Sequence, residues 1–318
     1  MSSAPPRTGT FNHVQLVEID SDQAGQRIDN FLRTFLKGAP KTLIYRLLRK
    51  GEIRVNKKRT KPDYKLQAND QIRIAPIRLP EKGEPAPVSQ GLLALLERSV
   101  IFESDALLII NKPSGIAVHG GSGVTLGLIE AVRKLRPQAR FLELVHRIDR
   151  DTSGCIMIAK KRSMLRFLHE ALRQRTVYKS YQALVVGRWE SQVKRVDAPL
   201  LRDEHRSGER TVRVDPAGKA SMTDFAVIRR FGDTATLIEA RPKTGRTHQI
   251  RVHTQYCKHP IVGDVKYTSD EMNTKFRQLG FKRLMLHAAG LRLTLPDGET
   301  LQVRAPLDDS LVTLMDKL

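Results

Sequence analysis

The sequence predicts an α+β fold with a mixed, largely antiparallel central sheet and flanking helices, preceded by a small N-terminal domain. In the larger part of the chain, predicted strands outnumber predicted helices and do not alternate regularly with them, which argues against a doubly wound parallel sheet. In the N-terminal part, two stretches with apolar residues at helical spacing are followed by short segments in which apolar and polar residues alternate. The chain has 318 residues, a length that accommodates two domains.

Composition divides the chain into four parts. A Ser-, Pro- and Thr-rich start predicts a disordered tail over 1–16, and a small basic domain is predicted over 17–78. The segment 79–95 opens with the Pro- and Gly-rich composition of a linker. A larger domain is predicted over 96–318.

Two amphipathic helices and two short strands make up the small domain. Apolar residues at i, i+3, i+4, i+7 and i+8 from Ile28 predict the first helix. The second helix carries apolar residues between Leu43 and Leu48, and Gly51 is placed to end it. Alternating residues around Ile53 and around Ile72 then predict the strands.

Positive charge is concentrated between Lys41 and Lys61. This stretch holds nine basic residues and one acid, Glu52, which indicates a surface for phosphates because a solvated surface normally mixes its signs. The helix–helix–Gly-x-Ile-x-Val-Asn pattern resembles the S4 RNA-binding domain. The candidate RNA-binding residues of this domain are Arg46, Arg49, Lys50, Lys57, Lys58 and Arg59.

The larger domain is predicted to begin with a buried strand that Asn111, Lys112 and Pro113 stop. Patterning predicts strands over 106–110, 181–186, 223–229, 234–240 and 291–295, and helices over 125–135 and 163–174. No repeat of fixed period accompanies them.

Charge and composition narrow the class of partner. The formal net charge of +21 points to a polyanion. No run of about 18 apolar residues and no signal-peptide core is present, so we expect no membrane partner and a cytoplasmic protein. Cys155 and Cys257 form no Cys-x-x-Cys pair, and His248 and His253 have no ligand motif beside them, so no metal site is predicted.

One short segment carries the chemistry. Asp149 lies between Arg147 and Arg150, just before the small residues Thr152 to Gly154 and an apolar run. A neighbouring cation favours the ionised form of an acid, so this arrangement suits a carboxylate held charged at an anion-binding cleft. From the residues alone, a turn or cap aspartate is an equal alternative.

Four stretches in order resemble the RluA-type pseudouridine synthases, which isomerise uridine in RNA. They are 107–118, 146–156, 177–185 and 244–253. With the S4-like domain, the pattern is most similar to members that act on large-subunit ribosomal RNA. The resemblance implies the pseudouridine synthase fold, a ribosomal RNA partner, and catalysis without a cofactor or a metal.

The resemblance also assigns roles to single residues. It implies that Asp149 is the catalytic carboxylate, acting either as a nucleophile at the sugar or as a base at C2′. It places the partner cation at Arg251, whose planar fork and permanent charge suit a carboxylate, although a surface arginine on a strand is the plain alternative. Tyr181 would stack on the target base, and Arg147 would fill the space that the base leaves. Arg246 is a further candidate for phosphate contact.

Two rival functions stay open from the sequence. One is a non-catalytic S4-type ribosome-associated RNA-binding protein, against which the intact Asp149, Tyr181 and Arg251 argue. The other is an RNA glycosidase, which needs two carboxylates across the scissile bond. Asp151 is the nearest second carboxylate, but it lies only two residues from Asp149 and is predicted to be a turn residue. A monomer is the default expectation.

Overall fold

The protein is described by a computed structural model that covers residues 13–21, 23–36, 39–77, 88–120, 126–204 and 210–318. The chain forms two compact units, Met1–Ala86 and Pro87–Leu318, called here the N-terminal unit and, after the role that the resemblance implies for it, the catalytic unit. Among the residues described, no helix has both the length and the apolar character needed to cross a bilayer.

The N-terminal unit contains a three-stranded antiparallel sheet and two helices. Its elements are β1 Gln15–Glu18, α1 Ile28–Phe35, α2 Lys41–Lys50, β2 Ile53–Val55 and β3 Gln71–Ile74. The sheet has the order β1-β3-β2. Apolar faces of both helices pack with the inward strand residues into one small core. Gly51 ends α2 with a φ of 72°, a left-handed conformation that glycine adopts without a Cβ clash.

One large sheet organises the catalytic unit. Its elements are α3 Gln90–Arg98, β4 Val100–Glu103, β5 Leu107–Lys112, α4 Leu128–Leu135, β6 Glu143–Leu144, β7 Ser153–Ala159, α5 Arg162–Arg173, β8 Tyr178–Val186, β9 Arg195–Asp197, β10 Leu200–Glu204, β11 Arg210–Val214, β12 Met222–Phe231, β13 Ala235–Pro242, α6 Gln249–Tyr256, α7 Asp270–Gln278, β14 Leu286–Thr294, β15 Thr300–Arg304 and α8 Asp309–Met315.

Ten of these described strands form a single sheet. Their order is β4-β5-β7-β14-β8-β13-β12-β9, with β15 beside β14 and β6 beside β7. Only the pairing of β7 with β14 is parallel among these described strands. The predicted α+β class with a mixed, largely antiparallel sheet is therefore confirmed.

The centre of the sheet is built from strand β7, every residue of which is buried. Gly154 has a φ of 107°, and a Cβ there would lie 2.3 Å from the backbone oxygen of Ala288 on β14. Only glycine allows the two backbones to approach this closely. Gly154 thus serves close packing of β7 against β14.

Some predicted boundaries are wrong. Helix α3 begins inside the predicted linker 79–95, because Ser89 caps it and its apolar side packs against the core of the unit. Strand β1 likewise overlaps the end of the predicted tail 1–16, since it pairs with β3. The remaining parts of those two predictions, 1–12 and 79–87, lie outside the described residues.

Two errors concern the segments that bear on the site. Strand β5 does not stop before Asn111 but continues through Lys112, because the ladder with β7 extends to Lys112 and Gly154. Arg251, for which a surface position on a strand was the alternative, instead lies buried on helix α6.

Candidate active site

A cleft of about 910 Å³ opens in the catalytic unit. Side chains reach it from the loop before β7, from the end of α5 and the start of β8, and from the segment joining β13 to α6. All five site residues that were predicted in this unit line the cleft: Arg147, Asp149, Tyr181, Arg246 and Arg251. The fold therefore brings together residues that are up to 104 positions apart in the chain.

The loop that carries Asp149 is fastened to the turn after β5. Lys112 is fully buried, and its Nζ donates to the carbonyls of Pro113 (2.9 Å), Ile116 (3.0 Å) and Arg150 (2.8 Å). Three acceptors match the three donors of an ammonium. Burial lowers the pKa of Lys112 to about 7, although the charge of Asp151 and then Asp149 opposes this. Sequence reasoning had treated Lys112 as a strand stop and missed this anchoring contact.

Arg251 bridges two carboxylates. Its Nη1 lies 3.2 Å from Oδ2 of Asp149. Its Nε lies 2.7 Å from Oδ2 of Asp264, and its Nη2 lies 2.7 Å from Oδ1 of the same residue. This is the planar, two-bond geometry that a guanidinium makes with a carboxylate. Burial alone would lower the pKa of Arg251, but Asp264 and, less strongly, Asp149 raise it above its ordinary value.

Asp264 orients Arg251 and was missed from the sequence. Its Oδ1 also accepts the backbone N–H groups of Lys266 (2.9 Å) and Tyr267 (3.3 Å), so this buried carboxylate has four donors. A buried charge needs such partners, because desolvation is costly without them. The Gly263–Asp264 turn carries no charge pattern that could have marked it as part of the site.

His248 approaches the same oxygen of Asp149. Its Nε2 lies 3.8 Å from Oδ2, and its Nδ1 lies 2.8 Å from the hydroxyl of Tyr267. That hydroxyl oxygen also accepts the Val212 amide at 3.0 Å, so Tyr267 links the His248 ring to Val212. Burial lowers the pKa of His248, despite the opposing charge of Asp149.

The two oxygens of Asp149 therefore have different surroundings. Arg251 and His248 both approach Oδ2, whereas Oδ1 accepts no hydrogen bond from any residue that the structure describes. The held oxygen fixes the carboxylate plane. The other oxygen is left without a described protein donor on a residue that lines the cleft, which is the arrangement that a nucleophile or a base requires.

Tyr181 forms part of the apolar side of the cleft. It pairs with Ala240 across the sheet and packs against two core clusters. Burial, with a smaller effect from the charge of Asp149, raises the pKa of the Tyr181 phenol above its ordinary value, so the hydroxyl stays protonated. An aromatic ring in this position offers a stacking surface for a planar base.

Gln249 fixes the segment that leads into α6. Its side-chain oxygen accepts from the Thr244 hydroxyl (2.7 Å) and from the Arg246 amide (3.0 Å). Its nitrogen donates to the Met222 carbonyl and the Thr223 hydroxyl, both at 2.9 Å. These contacts hold Arg246 at the rim, where its Nε donates to the Ala220 carbonyl.

The histidines and the second carboxylate that the sequence offered as alternatives make ordinary structural contacts. His253 lies between the Thr223 hydroxyl and the Ala198 carbonyl, and His146 accepts the Met157 amide. Over the described ranges, no three His, Cys, Asp or Glu side chains converge as a metal site would require. Asp151 is partly exposed and contacts only the neighbouring Arg150 through its carboxylate.

The six basic candidates of the N-terminal unit lie on its surface. They occupy α2 and the turn that connects β2 to the segment before β3, and all are exposed. None of them forms an ion pair with an acid of the described residues. They are Arg46, Arg49, Lys50, Lys57, Lys58 and Arg59.

Comparison with known proteins agrees with this geometry. A family model described as RNA pseudouridylate synthase matches residues 106–256, and an S4 domain model matches 26–72. The chain is 57% identical over 308 residues to ribosomal large subunit pseudouridine synthase C of Pasteurella multocida, covering 96% of this chain and 94% of that protein. The chain belongs to the RNA pseudouridylate synthase family. The family and the S4 domain predicted from the sequence motifs are thus confirmed.

Other members of the family extend the comparison. Ribosomal large subunit pseudouridine synthase C of Escherichia coli K12 is 55% identical over 310 residues, covering 96% of this chain and 97% of that protein. Among solved structures, human RNA pseudouridylate synthase domain containing 4 has a TM-score of 0.60 and 28% identity, over 72% of this chain and 95% of that one. The human domain containing 1 protein has a TM-score of 0.57 and 26% identity, over 73% and 98%.

Proposed function

We propose that this protein isomerises specific uridines to pseudouridine in large-subunit ribosomal RNA, with Asp149 as the catalytic carboxylate and without a cofactor or a metal. The observation that carries the proposal is the bridge from Asp149 in the cleft through Arg251 to the buried Asp264. The relatives named for synthesis of pseudouridine in the ribosomal large subunit cover almost the whole chain, which supports the choice of RNA.

The reaction needs a carboxylate but no redox step. The bond from N1 of uracil to C1′ breaks, the base turns, and a bond from C5 to C1′ forms. The proton on C5 is lost and N1 gains one, so atoms balance within the nucleotide and solvent. The free Oδ1 of Asp149 can attack C1′ or take a proton from C2′, and both routes require the ionised carboxylate, whose other oxygen Arg251 contacts.

Tyr181 and Arg147 are proposed to manage the base. A uridine in folded RNA must leave its stack to reach Asp149, which costs a few kcal/mol. Tyr181 would then stack on the uracil, and the exposed Arg147 at the cleft would occupy the vacated space. Arg147→Ala should slow modification of structured RNA more than that of an unstructured fragment, and equal rates would refute this role.

The N-terminal unit is proposed to bind RNA backbone through its exposed cations. We further propose that the protein acts as a monomer in the cytoplasm. Sedimentation at micromolar concentration would test the monomer, since a mass near twice 35.9 kDa would contradict it.

Pseudouridine mapping tests the function directly. Protein-free large-subunit ribosomal RNA is incubated with the wild type and with Asp149→Asn, labelled with carbodiimide and read by primer extension. Stops produced by the wild type alone would support the activity and the role of Asp149. Released uracil with an abasic site would indicate the glycosidase instead, and binding without any conversion would indicate the non-catalytic protein.

A further inference from the structure

Two groups of cations around the cleft differ in their partners. On the side formed by β9, β12 and β13, each side chain has an acid beside it. Arg195 lies 2.6 Å from Asp224, Lys243 lies 3.2 Å from the same carboxylate, and Arg241 lies 2.7 Å from Glu239. These three cations, called here the paired wall, share two carboxylates, so each has an acidic partner before any RNA arrives.

Two cations between the end of α5 and the start of β8 have no such acidic partner among the described residues. Arg175 and Lys179 both line the cleft, and neither side chain forms an ion pair or donates a hydrogen bond to another residue of the described chain. Arg173, in the same stretch, differs because it lies 2.5 Å from Glu170. Arg175 and Lys179 together are called here the free wall.

Lys179 is a cation in partly apolar surroundings. It lies two positions before Tyr181 on β8, so both side chains point to the same face of the sheet about 7 Å apart. It pairs in register with the buried Leu291 of β14, and Val177 on the same face is also buried. Burial lowers the pKa of Lys179, which means that its charge is poorly solvated by its surroundings in the protein.

Arg175 is held toward the cleft by an uncommon backbone conformation. It follows the C-terminal end of α5 with a φ of 60°, a left-handed value that residues other than glycine rarely adopt. Its amide donates to the Leu172 carbonyl at 3.3 Å, and the next amide, of Thr176, donates to Ala171 at 3.0 Å. The turn thus presents an exposed guanidinium that has no protein partner among the described residues.

We infer that Lys179 and Arg175 bind the phosphodiester groups beside the target uridine, so that the RNA backbone runs along the free wall while the base enters toward Tyr181 and Asp149. This inference rests on the proposed function and adds the path that the RNA strand takes along the cleft. The separation of Lys179 from Tyr181 is one that a single nucleotide spans from phosphate to base. An anion beside Lys179 would supply the compensation that its surroundings lack.

Salt dependence of binding separates the two walls. The full-length protein carries Asp149→Asn in every case, so that no turnover occurs, and binds a labelled fragment with a uridine located by the mapping above. Lys179→Met and Arg175→Met should each weaken binding roughly fivefold at low salt and lower the slope of log K against log salt by about 0.7–0.9. The matched controls, Lys243→Met and Arg195→Met on the paired wall, should leave the slope unchanged.

Two results would overturn the inference. One is an unchanged slope for Lys179→Met; the other is an equal loss of slope in the controls. Lys179→Arg keeps the charge and should keep the slope, which guards against a loss of binding caused by misfolding. If the wild type converts no uridine at all, the proposed function fails, but the same slope comparison can still be made on a labelled oligouridylate.

An uncharged phosphate analogue tests which phosphate of the RNA Lys179 contacts. A methylphosphonate is placed on either side of the target uridine, and single-turnover conversion is measured with Asp149 intact. The wild type should lose rate at both positions, whereas Lys179→Met should be insensitive at one of them. If Lys179→Met remains as sensitive as the wild type at both positions, Lys179 contacts the base or nothing, and the inference is wrong.

Discussion

The two units of this chain use positive charge in opposite ways. In the N-terminal unit, exposed cations without acidic partners among the described residues surround a small apolar core. In the catalytic unit, Arg251 and Lys112 are buried, and their nitrogens donate to carboxylate and backbone oxygens. Exposed charge provides attraction that salt can weaken, whereas buried charge fixes the position of a reacting group.

This comparison predicts unequal costs of mutation. An exposed ion pair contributes little because water and salt screen it. A buried pair that loses one partner leaves the other charge uncompensated, which destabilises the fold strongly. Damage to the catalytic unit should therefore reduce stability and rate together, while damage to the basic surface should reduce only RNA binding.

The largest effect is expected from Asp264→Asn. The change leaves the buried Arg251 without its bidentate acceptor, so the free energy of unfolding should fall by about 3–5 kcal/mol. The single-turnover rate should fall by about 100-fold, because Arg251 no longer holds the plane of Asp149. Urea unfolding followed by the fluorescence of Trp189, the only tryptophan, measures the first quantity.

The exposed pair of Arg229 and Asp316 provides the control for that variant. Asp316→Asn should change the free energy of unfolding by no more than about 1 kcal/mol and leave the rate unaltered. Similar costs for the two substitutions would contradict the contrast between buried and exposed charge.

A smaller loss of folding stability is expected at acidic pH. Burial lowers the pKa of His146 to about 4, so between about pH 6.5 and pH 4 the unfolded chain binds a proton that the folded chain does not. The stabilisation is complete above pH 6.5 and is lost as the pH falls through this window, by on the order of 3 kcal/mol for this residue. Burial shifts the pKa values of His253 and His287 in the same direction.

Trp189 fluorescence in urea at several pH values measures this loss. His146→Gln keeps an acceptor for the Met157 amide and should flatten part of the pH dependence. If the variant and the wild type show the same slope against pH, His146 does not titrate on unfolding as expected.

Substitution of the exposed cations of the N-terminal unit should change stability least, although it should weaken RNA binding strongly. Replacing Lys57, Lys58 and Arg59 with Gln removes three exposed cations from the N-terminal unit. The slope of log K against log salt should fall by about 2–3, because each phosphate contact releases a counterion. The rate at saturating RNA and the free energy of unfolding should stay close to those of the wild type. An unchanged slope would show that this surface does not bind the RNA.

Much of the fold and of the candidate site could be predicted because the signals lie in short contiguous segments of the sequence. The helices of the N-terminal unit follow from apolar spacing, and Asp149, Tyr181 and Arg251 were found because each lies within a short segment that resembles the family. Helix α6 was missed because six successive residues from Gln249 to Thr254 are buried. Such a helix has no polar face, and the alternation around Ile250 and Val252 is typical of a strand.

Long-range contacts could not be read from the sequence. Asp264 is an isolated acid after a glycine, and its importance appears only when the fold brings it to Arg251. Lys112 ends a strand in sequence terms, yet in space it binds the Arg150 carbonyl. Both residues act through partners whose position depends on how distant segments pack.

The bridge between Asp149 and Asp264 also sets an order during synthesis. The N-terminal unit ends at Ala86, and Asp264 is made roughly 180 residues later, about 10 to 35 seconds at typical rates of translation. Strand β14, which lies between β7 and β8, follows later still. A nascent chain therefore presents its basic surface well before it can acquire a working carboxylate, so in the life of each molecule attraction to a polyanion precedes chemistry.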